Sequence, residues 1–305
     1  MKIAIAGLGQ MGRPIAINLF QAGLNPLAVG RPDQVEALRA DGLEAEEYRS
    51  RLREADLVLL CLPDIHAIRQ VLFGEDRAGG VVRSGQTVVD LGTTDHAETL
   101  ILGSTLADRG VDFLDAPVSG MAARAAEGTL TVMCGGEREV FDRVLPVLRA
   151  FGERILFMGP AGSGQLAKLV NQLLFDINVA ALAEILPLAV KLGLQPGLVG
   201  EVVNSGTGRS FASEFFVPRI LRGSFTDGYP MRSAYKDLAS GARMSAESCI
   251  PLPVLAAATG TYQTALLAGH GDKDKGAMVL VLEQLLGVAF RDEPTLPPTG
   301  SGGDS

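Results

Sequence analysis

Lys2-Ile3-Ala4-Ile5-Ala6-Gly7-Leu8-Gly9-Gln10-Met11-Gly12 carries a short apolar run straight into three glycines spaced GxGxxG. Gln10–Gln21 then reads as a helix, with Ile15, Ala16, Leu19 and Phe20 on one face. Pro14 lies in its first turn, where a missing N–H does no harm. In this strand–turn–helix setting each glycine has a distinct task. Gly7 permits the tight turn, Gly9 lets the backbone approach a pyrophosphate, and Gly12 allows close helix–strand packing. The helix N-terminus stabilises the anion. The stretch therefore reads as a dinucleotide-binding turn.

Outward from this turn, apolar runs and amphipathic segments alternate. Strands are expected at Pro26–Val29, Leu57–Leu62, Thr87–Leu91, Asp112–Asp115, Thr129–Met133 and Arg154–Phe157. Helices are expected at Asp33–Ala40, Ile65–Phe73, Ala97–Arg109 and Glu137–Phe151. Such alternation gives an α/β fold, a Rossmann-type, mainly parallel, doubly wound sheet, over residues 1–161. The pattern changes after Gly162. One long helix from Ser163 to Leu192 enters an all-α domain over residues 162–291, with further helices at Pro196–Val203, Phe215–Arg222, Met231–Glu247, Pro251–Ala268 and Lys273–Phe290. No strand is expected beyond Phe157. Residues 292–305, rich in Pro, Gly and Ser, read as a loose tail.

Composition narrows the function. The chain has 305 residues, 47% hydrophobic and 20% charged, which suits a folded, core-forming protein. A net charge of −8 argues against bulk electrostatic binding of nucleic acid or an anionic membrane. Cys61, Cys134 and Cys249, like His66, His96 and His270, are scattered, so no metal framework or disulfide scaffold is visible, which fits a reducing cytoplasm. The N-terminus reaches Gly7 too soon for a secretory signal. The apolar stretch Leu166–Leu194 contains Lys168, Asn171, Asp176, Asn178, Glu184 and Lys191, and reads as a buried helix rather than a membrane span.

The tip of the second strand bears on cofactor choice. An acid there would bind the adenine ribose 2′-hydroxyl. Val29-Gly30-Arg31-Pro32 has none, and Arg31 can pair with a 2′-phosphate, so NADP(H) is expected over NAD(H), with nearby Asp33 acting against this. Asp115-Ala116-Pro117-Val118-Ser119-Gly120 offers N–H groups and a hydroxyl to a carboxylate, although alone it also reads as a turn with a capping serine. Lys168 and Asn171 share a face of the long helix at i, i+3 spacing. An ammonium in a cleft can protonate a carbonyl oxygen as hydride reaches the carbon; a snorkelling surface lysine is the plainer alternative. Lys236-Asp237 reads as a surface charge pair unless it serves the same site.

Together these stretches resemble the β-hydroxyacid dehydrogenase family, from Met1 to about Gly287. Residues 7–19 look like the family's cofactor signature, and Asp115–Gly120 with Gly128-Thr129-Leu130 like its substrate signature. Gly164 through Lys168 to Asn171 looks like its catalytic signature, and Lys236-Asp237-Leu238 like its C-terminal Lys-Asp-Leu. The resemblance implies Lys168 as the catalytic acid/base, Ser119 and Asn171 as its catalytic companions, and Ser119, Gly120, Met121, Asn171, Gln172 and Lys236 as the substrate site. It implies Gly7, Leu8, Gly9, Gln10, Met11, Gly12, Arg31, Leu62, Pro63, Thr93 and Lys236 as the cofactor site, with no metal. It also implies a small carboxylate substrate and a homodimer or homotetramer built through the helical domain.

Lys-x-x-Asn-Gln, with Asn178, resembles the tartronate semialdehyde (2-hydroxy-3-oxopropionate) reductase branch. A 3-hydroxyisobutyrate or 3-hydroxyamino-acid dehydrogenase, an imine reductase-like enzyme and a silent nucleotide-binding protein are the alternatives. Lys168 argues against the imine reductase, and the intact Lys168, Ser119 and Asn171 argue against the silent protein. Three positions depart from the family pattern: Met121 for a glycine, Gly92 for a serine, and Gly30 for Asn or Asp.

Overall fold

The computed structural model describes residues 1–47, 49–74 and 81–292. The chain divides into two compact units, Met1–Val170 and Asn171 onward. In the first, β1 (Ile3–Ala6) enters the glycine turn and α1 (Gly12–Gln21) leaves it. There follow β2 (Leu27–Val29), α2 (Pro32–Ala40), β3 (Ala45–Glu46), β4 (Leu57–Leu60), α3 (Ile65–Phe73), β5 (Thr87–Asp90) and α4 (His96–Ala107). The unit continues with β6 (Asp112–Asp115), β7 (Val118–Ser119), α5 (Met121–Ala126), β8 (Leu130–Gly136), α6 (Arg138–Leu148) and β9 (Gly152–Gly159).

The described strands form one sheet in the order β3-β2-β1-β4-β5-β6-β8-β7, with β9 also paired to β8. The pairs from β3 to β6 are parallel, whereas β8 runs antiparallel to β6 and β7. Strand residues alternate between two apolar layers, as the two-residue period requires. Ile3, Ile5, Leu57 and Leu59 face α1, α2 and α6 through Ile15, Leu19, Leu38 and Val144. Ala4, Ala6, Val58 and Leu60 face α3 and α4 through Ile68, Leu72, Leu102 and Leu106. With helices on both faces, the central strands β1, β2 and β4 are apolar throughout rather than alternating.

Two short strands, β3 and β7, and a 3-10 turn at Arg49–Glu54 go beyond the sequence expectation. Each strand is only two residues long and carries too little pattern to be read. The order reverses at β1, whose neighbours are β2 and β4, so the carboxyl ends of β1 and β4 open a crevice suited to a nucleotide.

α7 (Ser163–Lys191) leads into the second unit. There α8 (Pro196–Ser205), α9 (Phe211–Leu221), α10 (Met231–Glu247), α11 (Pro253–Leu267) and α12 (Val279–Leu286) follow, with no strand among the described residues. Val179, Ala183 and Leu186 of α7 pack in one core with Phe216, Ile220, Leu238 and Tyr262. Gly241 of α10 leaves room for Leu173, whose Cδ1 would lie 2.8 Å from an added Cβ. α9 starts at Phe211, four residues earlier than expected, because Ser210 Oγ accepts the Ser213 N–H at 3.1 Å and caps it. The segment expected as one helix over Lys273–Phe290 is broken into a 3-10 turn, Lys275–Met278, and α12. The Asp274 carboxylate accepts the Gly276 N–H at 2.9 Å at its start, and Gly287, at φ 66°, ends it.

α7 departs from expectation in its packing. It is long and apolar enough to cross a membrane by length and composition, yet much of its apolar surface is open. Leu166 and Leu169 are partly buried, but Val170 and Leu174 are each 60% exposed. The sequence predicts a largely buried helix, and one apolar face is left open. The expected tail falls, after Asp292, outside the described residues.

Candidate active site

The glycine turn is built as its spacing requires. Gly7 adopts φ 93°, where a side chain would be strained, and an added Cβ would run into the Cys61 carbonyl. A Cβ on Gly12 would collide with the Gly7 carbonyl oxygen, so only glycine lets α1 close on the turn. Gly9 is the opposite case, with nothing within 4 Å of an added Cβ. Its backbone stands open beside the N-terminus of α1, which is the fit a pyrophosphate needs. Leu8 is buried beneath the turn, while Gln10 is exposed and Met11 partly so.

Neighbouring loops line the same sheet edge. Ala6, Leu60, Asp90 and Asp115 are successive register partners across β1, β4, β5 and β6. The segments that follow them therefore emerge side by side: the glycine turn, Cys61-Leu62-Pro63, Gly92-Thr93-Thr94 and Ala116 to Ser119. The β2 tip joins them, since the Gly7 N–H donates to the Val29 carbonyl at 3.1 Å. At Gly30 an added Cβ would sit 2.7 Å from Leu8 Cδ1 and 2.9 Å from Gln34 Oε1, the ends of two side chains that would have to shift. Arg31 follows with its side chain 73% exposed, its Nε 3.4 Å from Asp33 Oδ1. The arginine draws the Asp33 carboxyl below its ordinary value.

Asp90, fully buried, organises the loop after β5. Its Oδ1 accepts the Gly92 N–H and its Oδ2 the Thr94 hydroxyl, both at 2.9 Å. Gly92 is also sterically required, because an added Cβ would lie 2.8 Å from the Leu62 carbonyl oxygen. Burial, with a smaller push from Asp90, raises the nearby Cys61 thiol to about 12.

Asp115 does the equivalent work at the end of β6. Its Oδ1 accepts the Gly162 N–H at 2.7 Å and its Oδ2 the Gln165 N–H at 2.9 Å, fixing the start of α7. Burial pushes this carboxyl above its ordinary value, and those backbone donors pull it back. Gly164 completes the joint, since an added Cβ would strike the Met133 carbonyl. Three residues past Gln165, Lys168 is only 7% exposed. It is not the solvated surface lysine that its position near a helix start would allow.

The Ser119 loop lies in the same unit. Ser119 pairs with Thr131 of β8 and is partly buried, Gly120 takes φ 142°, and Met121 takes φ 60°. The methionine thus keeps the left-handed backbone that a glycine would adopt freely. The loop geometry survives the departure from the family pattern, with a side chain added.

The remaining sequence candidates belong to the second unit. Asn171 and Lys236 are exposed. Gln172 donates from Nε2 to Asp237 Oδ2 at 3.1 Å. Asp237 is buried, so the Lys236-Asp237 pair is not the surface charge pair its sequence allows. Among the described residues no group of His, Cys, Asp or Glu is placed to hold a metal. Asp90 and Gln165 escaped the sequence reading. A lone Asp at a strand end and a Gln in a helix carry no local signal; only the sheet register brings them together.

A glycine turn at the switch point of a doubly wound sheet, followed by a helical unit, defines a nicotinamide-dependent oxidoreductase fold. Residues 2–159 match the model of the NAD binding domain of 6-phosphogluconate dehydrogenase, and residues 162–282 that of the NAD-binding domain of NADP-dependent 3-hydroxyisobutyrate dehydrogenase. The chain is 36% identical to 2-(hydroxymethyl)glutarate dehydrogenase of Eubacterium barkeri, covering 95% of this chain and 97% of that one. It is 33% identical to 2-hydroxy-3-oxopropionate reductase of Escherichia coli, covering 93% and 97%. The crystal structure of 3-hydroxyisobutyrate dehydrogenase from Salmonella typhimurium matches with a TM-score of 0.84 at 29% identity, covering 92% of this chain and 99% of that one. The chain belongs to the β-hydroxyacid dehydrogenase family, and is an NAD(P)-dependent dehydrogenase acting on a CH–OH group.

Proposed function

We propose that this enzyme interconverts a small 3-hydroxy carboxylate and its semialdehyde, most like a 2-hydroxy-3-oxopropionate reductase, and prefers NADP(H). The observation that carries the reading is the burial of Lys168 on a helix whose first turn is pinned to the sheet's carboxyl edge, where the glycine turn and the Thr93 and Ser119 loops also emerge. A bound nicotinamide supplies or accepts the hydride. Ser119 and the N–H groups of Gly120 and Met121 hold the substrate carboxylate. Lys168 donates its proton to the carbonyl oxygen in reduction and takes it back in oxidation, stabilising the developing alkoxide. Asn171, Gln172 and Lys236 are the further residues that the family resemblance assigns to substrate and cofactor.

Arg31 supports the NADP(H) preference, because nothing acidic precedes it on β2 and its guanidinium is free to turn toward a 2′-phosphate in place of Asp33. The open apolar face of α7, with Val170, Leu174, Ile185 and Leu188 exposed, supports a homo-oligomer through the helical unit. The buried charges along α7 support a core helix of a cytoplasmic protein rather than a membrane span.

The test is an absorbance assay at the nicotinamide wavelength, pairing NADP+ and NAD+ with glycerate, 3-hydroxyisobutyrate, 3-hydroxypropionate, 4-hydroxybutyrate, threonate and 3-hydroxy amino acids. Fastest turnover of glycerate with NADP+ is expected. Lys168→Ala should lower kcat by about 10²–10⁴-fold at near-normal cofactor affinity. A fully active Lys168→Ala would sink the assignment.

A further inference from the structure

The buried amide of Gln165 ties the cofactor loop to the helix that carries Lys168. Gln165 is 3% exposed, and both ends of its side chain are bonded. Its Oε1 accepts the Thr94 N–H at 3.0 Å, and its Nε2 donates to the Gly92 carbonyl at 2.9 Å. These two partners flank Thr93. The same short loop is gripped from the strand side by Asp90, through the Gly92 N–H and the Thr94 hydroxyl. The backbone of Gln165 is in turn held by Asp115, whose position opposite Asp90 is fixed by the β5–β6 register.

Gln165 thus stands between two buried carboxylates, one holding its N–H and one holding the loop it grips. Lys168 lies three residues on, on the same helical face. A chain of hydrogen bonds with every member satisfied is rigid, and its geometry is passed on.

We infer that Gln165 is a positioning residue for hydride transfer: it sets the distance between the nicotinamide wall at Thr93 and the acid/base at Lys168. It touches neither substrate nor reacting atoms. It acts through the backbone of loop 92–94 and the first turn of α7. The inference rests on the assignment of Lys168 and the Thr93 loop given above. Leucine at 165 keeps the bulk and removes both hydrogen bonds, leaving the Thr94 N–H and the Gly92 carbonyl without this partner.

The test compares Gln165→Leu with Gln86→Leu, using whichever acid the enzyme turns over. Gln86 is an equally buried amide, donating to the Leu52 and Ala55 carbonyls at 3.0 and 2.7 Å, at the opposite end of β5. Both variants should lower the thermal midpoint. Only Gln165→Leu should lower kcat, by about 10²-fold, the size a misplacement of about 1 Å causes. It should also raise the primary deuterium isotope effect measured with the acid deuterated at its hydroxyl-bearing carbon and shift the basic limb of the kcat–pH profile. Wild-type kcat, isotope effect and pH profile in Gln165→Leu would overturn the inference, as would an equal kcat loss in Gln86→Leu. Full activity of Lys168→Ala would instead remove the reading it rests on, and the two failures are read from different variants.

Discussion

Lys275→Met should be among the most damaging substitutions in the helical unit, and the reason is electrostatic. Lys275 and Asp176 form a salt bridge with side chains 3% and 0% exposed. Tyr262, also buried, donates its hydroxyl to Asp176 Oδ1 at 3.1 Å, while Asp176 Oδ2 has no protein hydrogen-bond partner among the described residues. Removing the ammonium leaves one tyrosine hydroxyl to compensate a buried carboxylate, and breaking such a pair from one side costs about 3–5 kcal/mol. Replacing both charges together, as Asp176→Leu with Lys275→Met, removes a desolvation penalty of similar size and returns about 1–4 kcal/mol. The stranded Tyr262 hydroxyl then costs about 1–3 kcal/mol, so the double variant should lie near wild type. Adding Tyr262→Phe should bring the triple variant to wild type or above. Urea unfolding followed by circular dichroism measures all three. The pH dependence has a definite sign. Burial raises the Asp176 carboxyl and Lys275 pulls it down, so Lys275→Met lets it rise further. The folded variant then holds a proton that the unfolded chain releases, and its stability falls as pH climbs from the unfolded value through the raised folded one. The deficit should therefore be larger near pH 8 than near pH 4.5. A loss under about 1 kcal/mol in Lys275→Met, or a double variant worse than both singles, would refute the reasoning.

Arg31→Ala should raise KM for NADPH more than KM for NADH, since only the former offers a 2′-phosphate; equal effects would reject that role. Met121→Gly should remove a left-handed strain of about 1–2 kcal/mol and add a backbone entropy cost of about 0.5–1 kcal/mol. A thermal midpoint equal to or slightly above wild type is expected, with altered substrate preference in the panel; a clear loss of stability would show that the methionine side chain packs productively. Burial holds the Cys61 and Cys134 thiols up at about 12, while Cys249 is exposed. Ellman's reagent near pH 8 should therefore titrate one thiol in the native protein and all three in urea. Rapid native labelling of Cys61 would contradict the raised pKa of its thiol.

What was legible in the sequence follows from the range of the forces involved. The GxGxxG turn, the alternation through the sheet and the long helix are local patterns, and the fold followed from them. β8 turning antiparallel was not legible, because strand direction depends on how the Pro117 to Gly128 excursion folds back. The burial of Lys168 reads in the sequence as a cost needing partners, and the groups that anchor the start of its helix lie far away in the chain. Asp115 and Gly162 meet across 47 residues, and Thr94 and Gln165 across 71. Single buried amides and carboxylates of this kind carry no periodicity. The same holds for Asp237, read beside Lys236 as a surface partner and found buried against Gln172.

The three departures from the family pattern do not weigh equally once their surroundings are known. Gly92 is enforced by the Leu62 carbonyl, whereas an added side chain at Gly30 would meet only the Leu8 and Gln34 side chains, which can shift. Gly92 is an answer to close backbone approach, and a larger residue there would displace the Thr93 loop; a larger residue at position 30 asks only for side-chain adjustment. Neither needs a change of substrate to explain it. Met121 is different. Nothing in its backbone calls for a side chain, and its φ of 60° argues for glycine. A residue that carries strain where the ordinary choice carries none is best explained by what its side chain contacts. It is bonded in sequence to the Ser119-Gly120 pair proposed to hold the carboxylate. The substrate panel is therefore a test of Met121 above all: a preference unchanged between wild type and Met121→Gly would assign the strain to folding alone, and a shift toward bulkier acids would assign it to the shape of the pocket.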